Sequence, residues 1–206
     1  MHGLSWRRRT KGRGYRELNL AWIEPLAVIT ALLAVGLGVL GKRITWIFWL
    51  LSSTLYGWIF AQARLWADCG LQVMFFVAAV WGWRHWGKQS FYPVVMSLRA
   101  SLLAVAAAFL GWLVLYALLL ALGGQAAWGD AFVGAASLVA QVLMVRQRLE
   151  HWFFWLAANL VGVLLFWSQG LKATAGLYLL FAFMALGGYW QWTKRLQALA
   201  DDPSRL

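Results

Sequence analysis

Formal charges in this chain leave long uncharged stretches: none falls between Arg99 and Asp130, between His151 and Lys172, or between Lys172 and Lys194. A helix rising about 1.5 Å per residue needs roughly 20 residues to cross a hydrocarbon core of about 30 Å, and each stretch supplies that. A water-soluble globule of 206 residues would need more charge than this one has. Only 12% of residues are charged against 63% hydrophobic, which sets the chain in a bilayer. The apolar runs are continuous rather than alternating, which argues against a β-barrel. Helices are the other way to satisfy a backbone in lipid. Apolar runs bounded by charge, Gly or Pro predict seven spans, near 22–41, 44–63, 67–84, 98–122, 129–146, 152–170 and 173–193.

Alternate loops differ in basic residues. One side collects Lys42, Arg43, Arg84, Lys88, Arg99, Arg146, Arg148, Lys194, Arg195 and Arg205; the other holds Arg64 and Lys172. By the positive-inside rule the first side, with the carboxyl end, is cytoplasmic. The N-terminal residues Arg7, Arg8, Arg9, Lys11, Arg13 and Arg16 oppose that vote, and no small-residue cleavage pattern marks them as a signal peptide. The net charge of +11 is read as contact with anionic lipid rather than nucleic acid. The single cysteine, Cys69, permits no intrachain disulfide or Cys cage and is read as a small core residue.

The chain also repeats itself. Residues 46–86 align without a gap on 152–192, with identities at 13 of 41 positions, including Trp46/Trp152, Trp49/Trp155, Gly82/Gly188 and Trp86/Trp192. The same shift sets Glu24 on Asp130 and Lys42 on Arg148. Spans one to three therefore pair with five to seven, and span four is a lone linker. Because three is odd, the linker returns the second unit to the orientation of the first. The expected architecture is an all-α membrane protein of two parallel three-helix repeats joined by a linker helix. The divisions are a basic tail over 1–20, a first repeat over 22–84, the linker over 98–122, a second repeat over 129–193 and a tail over 194–206. Parallel repeats around an axis along the membrane normal are a transporter architecture with a midplane site between them.

Intramembrane polar residues mark where function sits. Asp130, Ser137 and Gln141 share one face of span five; Trp152, Trp155 and Asn159 share one of span six. Asp68, Gln72, Phe75 and Trp83 align in span three, Thr174, Tyr178, Phe181 and Tyr189 in span seven, and Trp49, Ser53 and Tyr56 in span two. Singly, Gln141 or Asn159 reads equally well as interhelical glue. Trp46 and Trp152, at span starts, read as interface anchors, and Asp68 and Asp130 as loop or capping residues. Collectively, amides and hydroxyls beside flat rings suit a ring compound carrying several hydroxyls, bound more favourably if its ring is cationic. No midplane acid, base or ion pair offers a proton relay, and no Walker motif or hydrolase constellation is present. No lysine lies deep enough in a span for a retinal Schiff base. Catalytic residues, metal and cofactor are all expected to be none.

The stretches Asp68-Cys69-Gly70-Leu71-Gln72 through Trp81-Gly82-Trp83-Arg84-His85-Trp86, Ser137 to Met144, and Glu150-His151-Trp152-Phe153-Phe154-Trp155 through Asn159 resemble the signature stretches of the PnuC-type nicotinamide riboside transporters. The resemblance covers the chain from span one to span seven. It implies facilitated, bidirectional diffusion of an unphosphorylated vitamin precursor for NAD synthesis across a bacterial inner membrane. A cytoplasmic kinase would trap the product by phosphorylation. It further implies a fold similar to the SWEET sugar transporters and assembly as a homotrimer. Carried onto this chain, it makes Gln72, Gln141, Trp155 and Asn159 the expected substrate-binding residues, with Tyr56, Trp152 and Tyr178 as further candidates. The same scaffold is associated with thiamine and riboflavin, so the vitamin stays open, and a non-transporting scaffold or receptor is the reading from another class.

Overall fold

The computed structural model describes residues 5–63, 66–87, 91–122 and 127–201. For 5–21 and at 63, 66, 67 and 127 only the backbone is described, so the basic tail's side chains, with Arg64, Lys88 and Arg205, lie outside the described residues. Among the described residues seven helices follow in order: α1 Ser5–Val39, α2 Thr45–Ala63, α3 Trp66–His85, α4 Leu98–Ala121, α5 Ala127–Val145, α6 His151–Ser168 and α7 Lys172–Asp201. Trp22–Val39 of α1, together with α4, α5, α6 and α7, are long and apolar enough to cross a membrane by length and composition. α2 and α3 have 19 and 20 residues and pack between them. Two helices run past the expected spans: α1 begins at Ser5, and α7 continues to Asp201.

Neighbour relations define a ring. α1 packs on α2, α2 on α3, α3 on α5, α5 on α6, α6 on α7, and α7 back on α1. The two seams between repeats, α3 with α5 and α7 with α1, exchange under the 106-residue shift, as a pseudo-twofold axis along the helices requires. Among the described residues α4 packs on α5 alone and has no buried residue, so the linker lies outside the ring with its apolar surface uncovered by them. Consecutive helices alternate in direction, which gathers Lys42, Arg43, Arg84, Arg99, Arg146, Arg148, Lys194 and Arg195 at one end, the basic end.

The duplicated tryptophans and glycines pack on each other. Trp46 is 0% exposed and its indole lies where a Cβ on Gly82 would stand; Trp152, 3% exposed, does the same to Gly188. Both are core residues and not the interface anchors expected from their place at span starts. Such close approach needs glycine. Gly82→Ala and Gly188→Ala should each cost about 1–3 kcal/mol by overpacking. Thermal unfolding in detergent should show a lower Tm for each, partly restored by pairing Gly82→Ala with Trp46→Phe.

Both first-to-second helix turns use the same cap. Lys42 N–H donates to Leu37 O and Arg148 N–H to Leu143 O, both at 2.9 Å, closing carbonyls that the helix ends leave open. The left-handed position is Gly41 in the first unit (φ 64°) and Gln147 in the second (φ 56°). A glutamine there is strained, and its side chain shows what the strain supports. Gln147 Oε1 accepts from Tyr92 N–H at 2.7 Å, while Val94 pairs with the backbone of Gln147 and Leu149 at 2.9 and 3.0 Å. The α3–α4 connection is thereby strapped to the α5–α6 turn, with Met96 N–H donating to Glu150 Oε1 at 2.7 Å.

Candidate functional site

At the basic end, aromatic residues from both units close the ring. Trp86 Nε1–H donates to Val145 O across the α3/α5 seam at 2.9 Å, and Trp192 Nε1–H donates to Gly38 O across the α7/α1 seam at 3.0 Å. Each indole takes up a carbonyl in the last turn of the other unit's first helix, so the two units are tied by a nearly symmetric pair of bonds whose acceptors are offset by one residue under the repeat. Trp86 also meets Trp46 edge-on at 5.2 Å, and Phe91, delivered by the strap, packs on Trp86 and Trp192 at 5.0 and 4.6 Å. His151, fully buried, fills the remaining space against Trp152 and Trp192 at 4.2 and 4.5 Å, with Nδ1 2.7 Å from Arg148 O.

One helical turn further in, Trp49 and Trp155 stack at 5.7 Å with planes 21° apart. They are equivalent under the repeat, so the pseudo-twofold axis passes between them. Phe75 leans on both, at 5.9 and 6.3 Å. At about the same depth, counted from the ends of α2, α5 and α6 at roughly 1.5 Å per residue, α5 carries Gln141. This side chain is 1% exposed, and neither its Nε2 nor its Oε1 has a partner among the described residues. A turn above the indoles lie Ser53 and its counterpart Asn159, 3% and 6% exposed, with Ser137 buried on α5; Ser53 Oγ is also unpartnered. Gln72 lines a groove of about 260 Å³ between α2 and α3 with Ser53, Gly57, Cys69 and Phe76. Cys69 is half-buried and its thiol reaches Gly57 O at 3.5 Å, so it borders a groove instead of sitting in the core.

Above this layer the repeat symmetry is exchanged between helices. Tyr56 of α2 stacks on Phe60, while its counterpart in α6 is Gly162, over which the ring of Tyr178 from α7 lies. Tyr178 rests on Phe166, the counterpart of Phe60. Each unit thus presents one tyrosine, from its second helix in one case and its third in the other. Outermost are Asp68 and Asp130, in the first turns of α3 and α5, and Glu24 of α1. Tyr178 lies within electrostatic reach of Tyr56, Asp68 and Asp130, Asp68 and Asp130 of each other, and Tyr56 of Glu24. This is the acidic end.

Of the residues expected from sequence, Trp155 and Asn159 lie on one face of α6, Gln141 lies at the indole level, and Gln72, Tyr56 and Tyr178 lie nearer the acidic end. Trp152 stands apart, in the plug at the basic end with Trp192 and His151. Phe91, His151 and Glu24 join these layers without having been singled out for a site, and Ser53 joins them from the polar face of span two without having been named a substrate residue. Glu24 was legible only as the counterpart of Asp130.

Residues 21–194 match the family described as nicotinamide mononucleotide transporter. The chain belongs to this family. It is 31% identical over 207 residues to the nicotinamide riboside transporter PnuC of Escherichia coli (strain K12), a similarity covering 84% of this chain and 86% of that relative. The riboflavin/roseoflavin transporter RibM of Streptomyces davaonensis is 26% identical over 191 residues, covering 87% and 88%. A crystal structure of the vitamin B3 transporter PnuC superposes with a TM-score of 0.73 at 25% identity, covering 86% of this chain and 83% of that one. The chain is thus a membrane protein of a transporter family whose similar relatives are named for vitamins or their precursors.

Proposed function

We propose that this protein mediates facilitated diffusion of nicotinamide riboside, with the substrate held between the two repeats by Gln141, Asn159, Trp155 and Gln72 and flanked by Tyr56 and Tyr178. The observation that carries this reading is the buried carboxamide of Gln141, unpartnered on both atoms, at the level of the stacked Trp49 and Trp155. Burying an amide without hydrogen bonds costs about 1–3 kcal/mol by protein mutational measures, a cost a ligand's hydroxyls and carboxamide would recover. Indole faces suit a pyridinium ring. The family description names the mononucleotide, but a phosphate calls for Arg, Lys or a similar donor. Among the described residues the layers from Trp49 to Tyr56 contain no basic side chain. That favours the unphosphorylated riboside.

Transport then proceeds by alternating access. One three-helix unit rocks against the other, and the aromatic plug at the basic end opens as the acidic end closes. The basic end with the carboxyl end faces the cytoplasm of a bacterial inner membrane, following the positive-inside rule, and a cytoplasmic kinase traps the product. Assembly as a homotrimer uses the uncovered face of α4, and the remaining apolar surface meets lipid. A second reading, riboflavin, is favoured by the similarity to RibM. Tryptophan fluorescence of the purified protein separates these. Nicotinamide riboside should quench it saturably at concentrations at which riboflavin, thiamine and nicotinamide mononucleotide do not; tighter binding of any of these three would overturn the assignment.

A further inference from the structure

The strap, residues 91–97, belongs by chain order to the connection between α3 and α4, yet its bonds run to the second unit. Tyr92 N–H donates to Gln147 Oε1 at 2.7 Å, Val94 N–H to Gln147 O at 2.9 Å, Leu149 N–H to Val94 O at 3.0 Å and Met96 N–H to Glu150 Oε1 at 2.7 Å. Pro93, buried among these bonds, has a fixed φ that stiffens the segment. After Ser97 the chain enters α4, which packs on α5 and donates from Trp112 Nε1–H to Trp128 O at 2.9 Å. Strap, linker and second unit are thus one bonded body. The end of α3 is held by the first unit instead. Arg43 Nε–H donates to Trp83 O at 2.9 Å, and its guanidinium lies 3.9 Å from the centre of that indole. Anchorage therefore passes from one unit to the other between Gly87 and Phe91.

Phe91 stands at that change. Its ring lies where a Cβ on Gly41 would stand, packs on Trp86 at 5.0 Å and meets Trp192 edge-on at 4.6 Å, with the Arg195 guanidinium 5.0 Å from its centre. Gly41 and Gln147 are equivalent under the repeat, and the successive residues Phe91 and Tyr92 meet one each. We infer that Phe91 is the gate residue of the basic end and that Gln147 is the positioning residue that holds it there. The gate parts between Phe91 and the first unit, along its contacts with Gly41 and Trp86, while Phe91 stays with Trp192, Arg195 and the rest of the second unit. This rests on the alternating access proposed above and adds where the break runs and what holds it. It also accounts for a glutamine in a left-handed turn (φ 56°) whose counterpart is glycine. Glycine fits such a turn without strain but has no oxygen to offer Tyr92.

Pairs of spin labels on the full chain, with Cys69→Ser beneath them, test both parts. Lys42→Cys reports the first unit, Lys194→Cys the second and Val95→Cys the strap; all three positions are exposed. With Gln147 in place, nicotinamide riboside should lengthen the distances from Lys42 to Lys194 and from Lys42 to Val95 together, while Val95 to Lys194 keeps its value. Gln147→Gly removes the acceptor oxygen and the strain, and Gln147→Met removes the oxygen alone. Tm should therefore stay near wild type in the first and fall in the second. Both should nevertheless raise the ligand-free population with the long Lys42 to Lys194 distance by about three- to tenfold, the effect of one lost hydrogen bond. A ligand-free distribution unchanged in both variants, or one that follows Tm, would overturn the role of Gln147. Riboside lengthening Val95 to Lys194 while Lys42 to Val95 holds would put Phe91 with the first unit and overturn the line of parting. If riboside moves no pair while Gln147 is in place, the substrate reading fails instead, and the gate is judged by the ligand-free distributions of the two variants.

Discussion

Gln141→Leu should make this protein more stable and a much poorer transporter at once. The wild-type amide is buried with both polar atoms unpartnered. An apolar side chain of similar volume removes that desolvation cost, so thermal unfolding in detergent without ligand should show Tm raised or unchanged. The same substitution deletes two hydrogen bonds that the riboside would make, together about 1–3 kcal/mol, so kcat/KM for uptake should fall by roughly ten- to a hundredfold. Were Gln141 interhelical glue, the outcome would be inverted, with Tm falling and riboside affinity keeping its value. Asn159→Leu is expected to behave in the same direction, since Asn159 is 6% exposed one turn from Trp155.

The second large effect concerns the ties at the basic end. Replacing Trp86 and Trp192 together by Phe keeps an aromatic ring in the plug but removes both bonds between units, to Val145 O and Gly38 O. At about 0.5–1.5 kcal/mol each, their loss should shift the balance from closed toward open at that end by roughly tenfold, as differential stabilisation of one state requires. Spin labels at Lys42→Cys and Arg146→Cys, one on each unit and with Cys69→Ser beneath them, report the separation. The double Phe variant should populate a longer distance that wild type reaches only with substrate. An unchanged distance distribution would mean that the indole bonds do not hold the closed state.

The helices were legible because charge-free length is a sufficient signal for a membrane span, and the two-unit plan because aligned Trp and Gly survive where aliphatic residues drift. Contacts between distant helices were harder to read. Trp46 at the first turn of α2 looks the same in sequence whether it meets lipid headgroups or Gly82. Its burial became legible only when the shared Trp and Gly identities were seen as two halves of one contact. Asp68 and Asp130 read as span-end residues because the seam between α3 and α5, which brings them together, leaves no mark in either helix. The tyrosine that moves from the second helix of one unit to the third of the other escapes any alignment, since Tyr56 is paired there with Gly162 and Tyr178 with Gln72. Gln147 in a left-handed turn would be taken for an error of register without the strap that its side chain holds.

Flux through the purified protein tests the central claim most directly. Proteoliposomes loaded with buffer and given external radiolabelled nicotinamide riboside, with no ion gradient, should fill to the external concentration and no further. They should empty at a comparable rate when the external label is removed, both several-fold faster than protein-free vesicles. Uptake no faster than in protein-free vesicles would contradict the assignment of this substrate, and accumulation above the external concentration under a proton or sodium gradient would contradict passive movement.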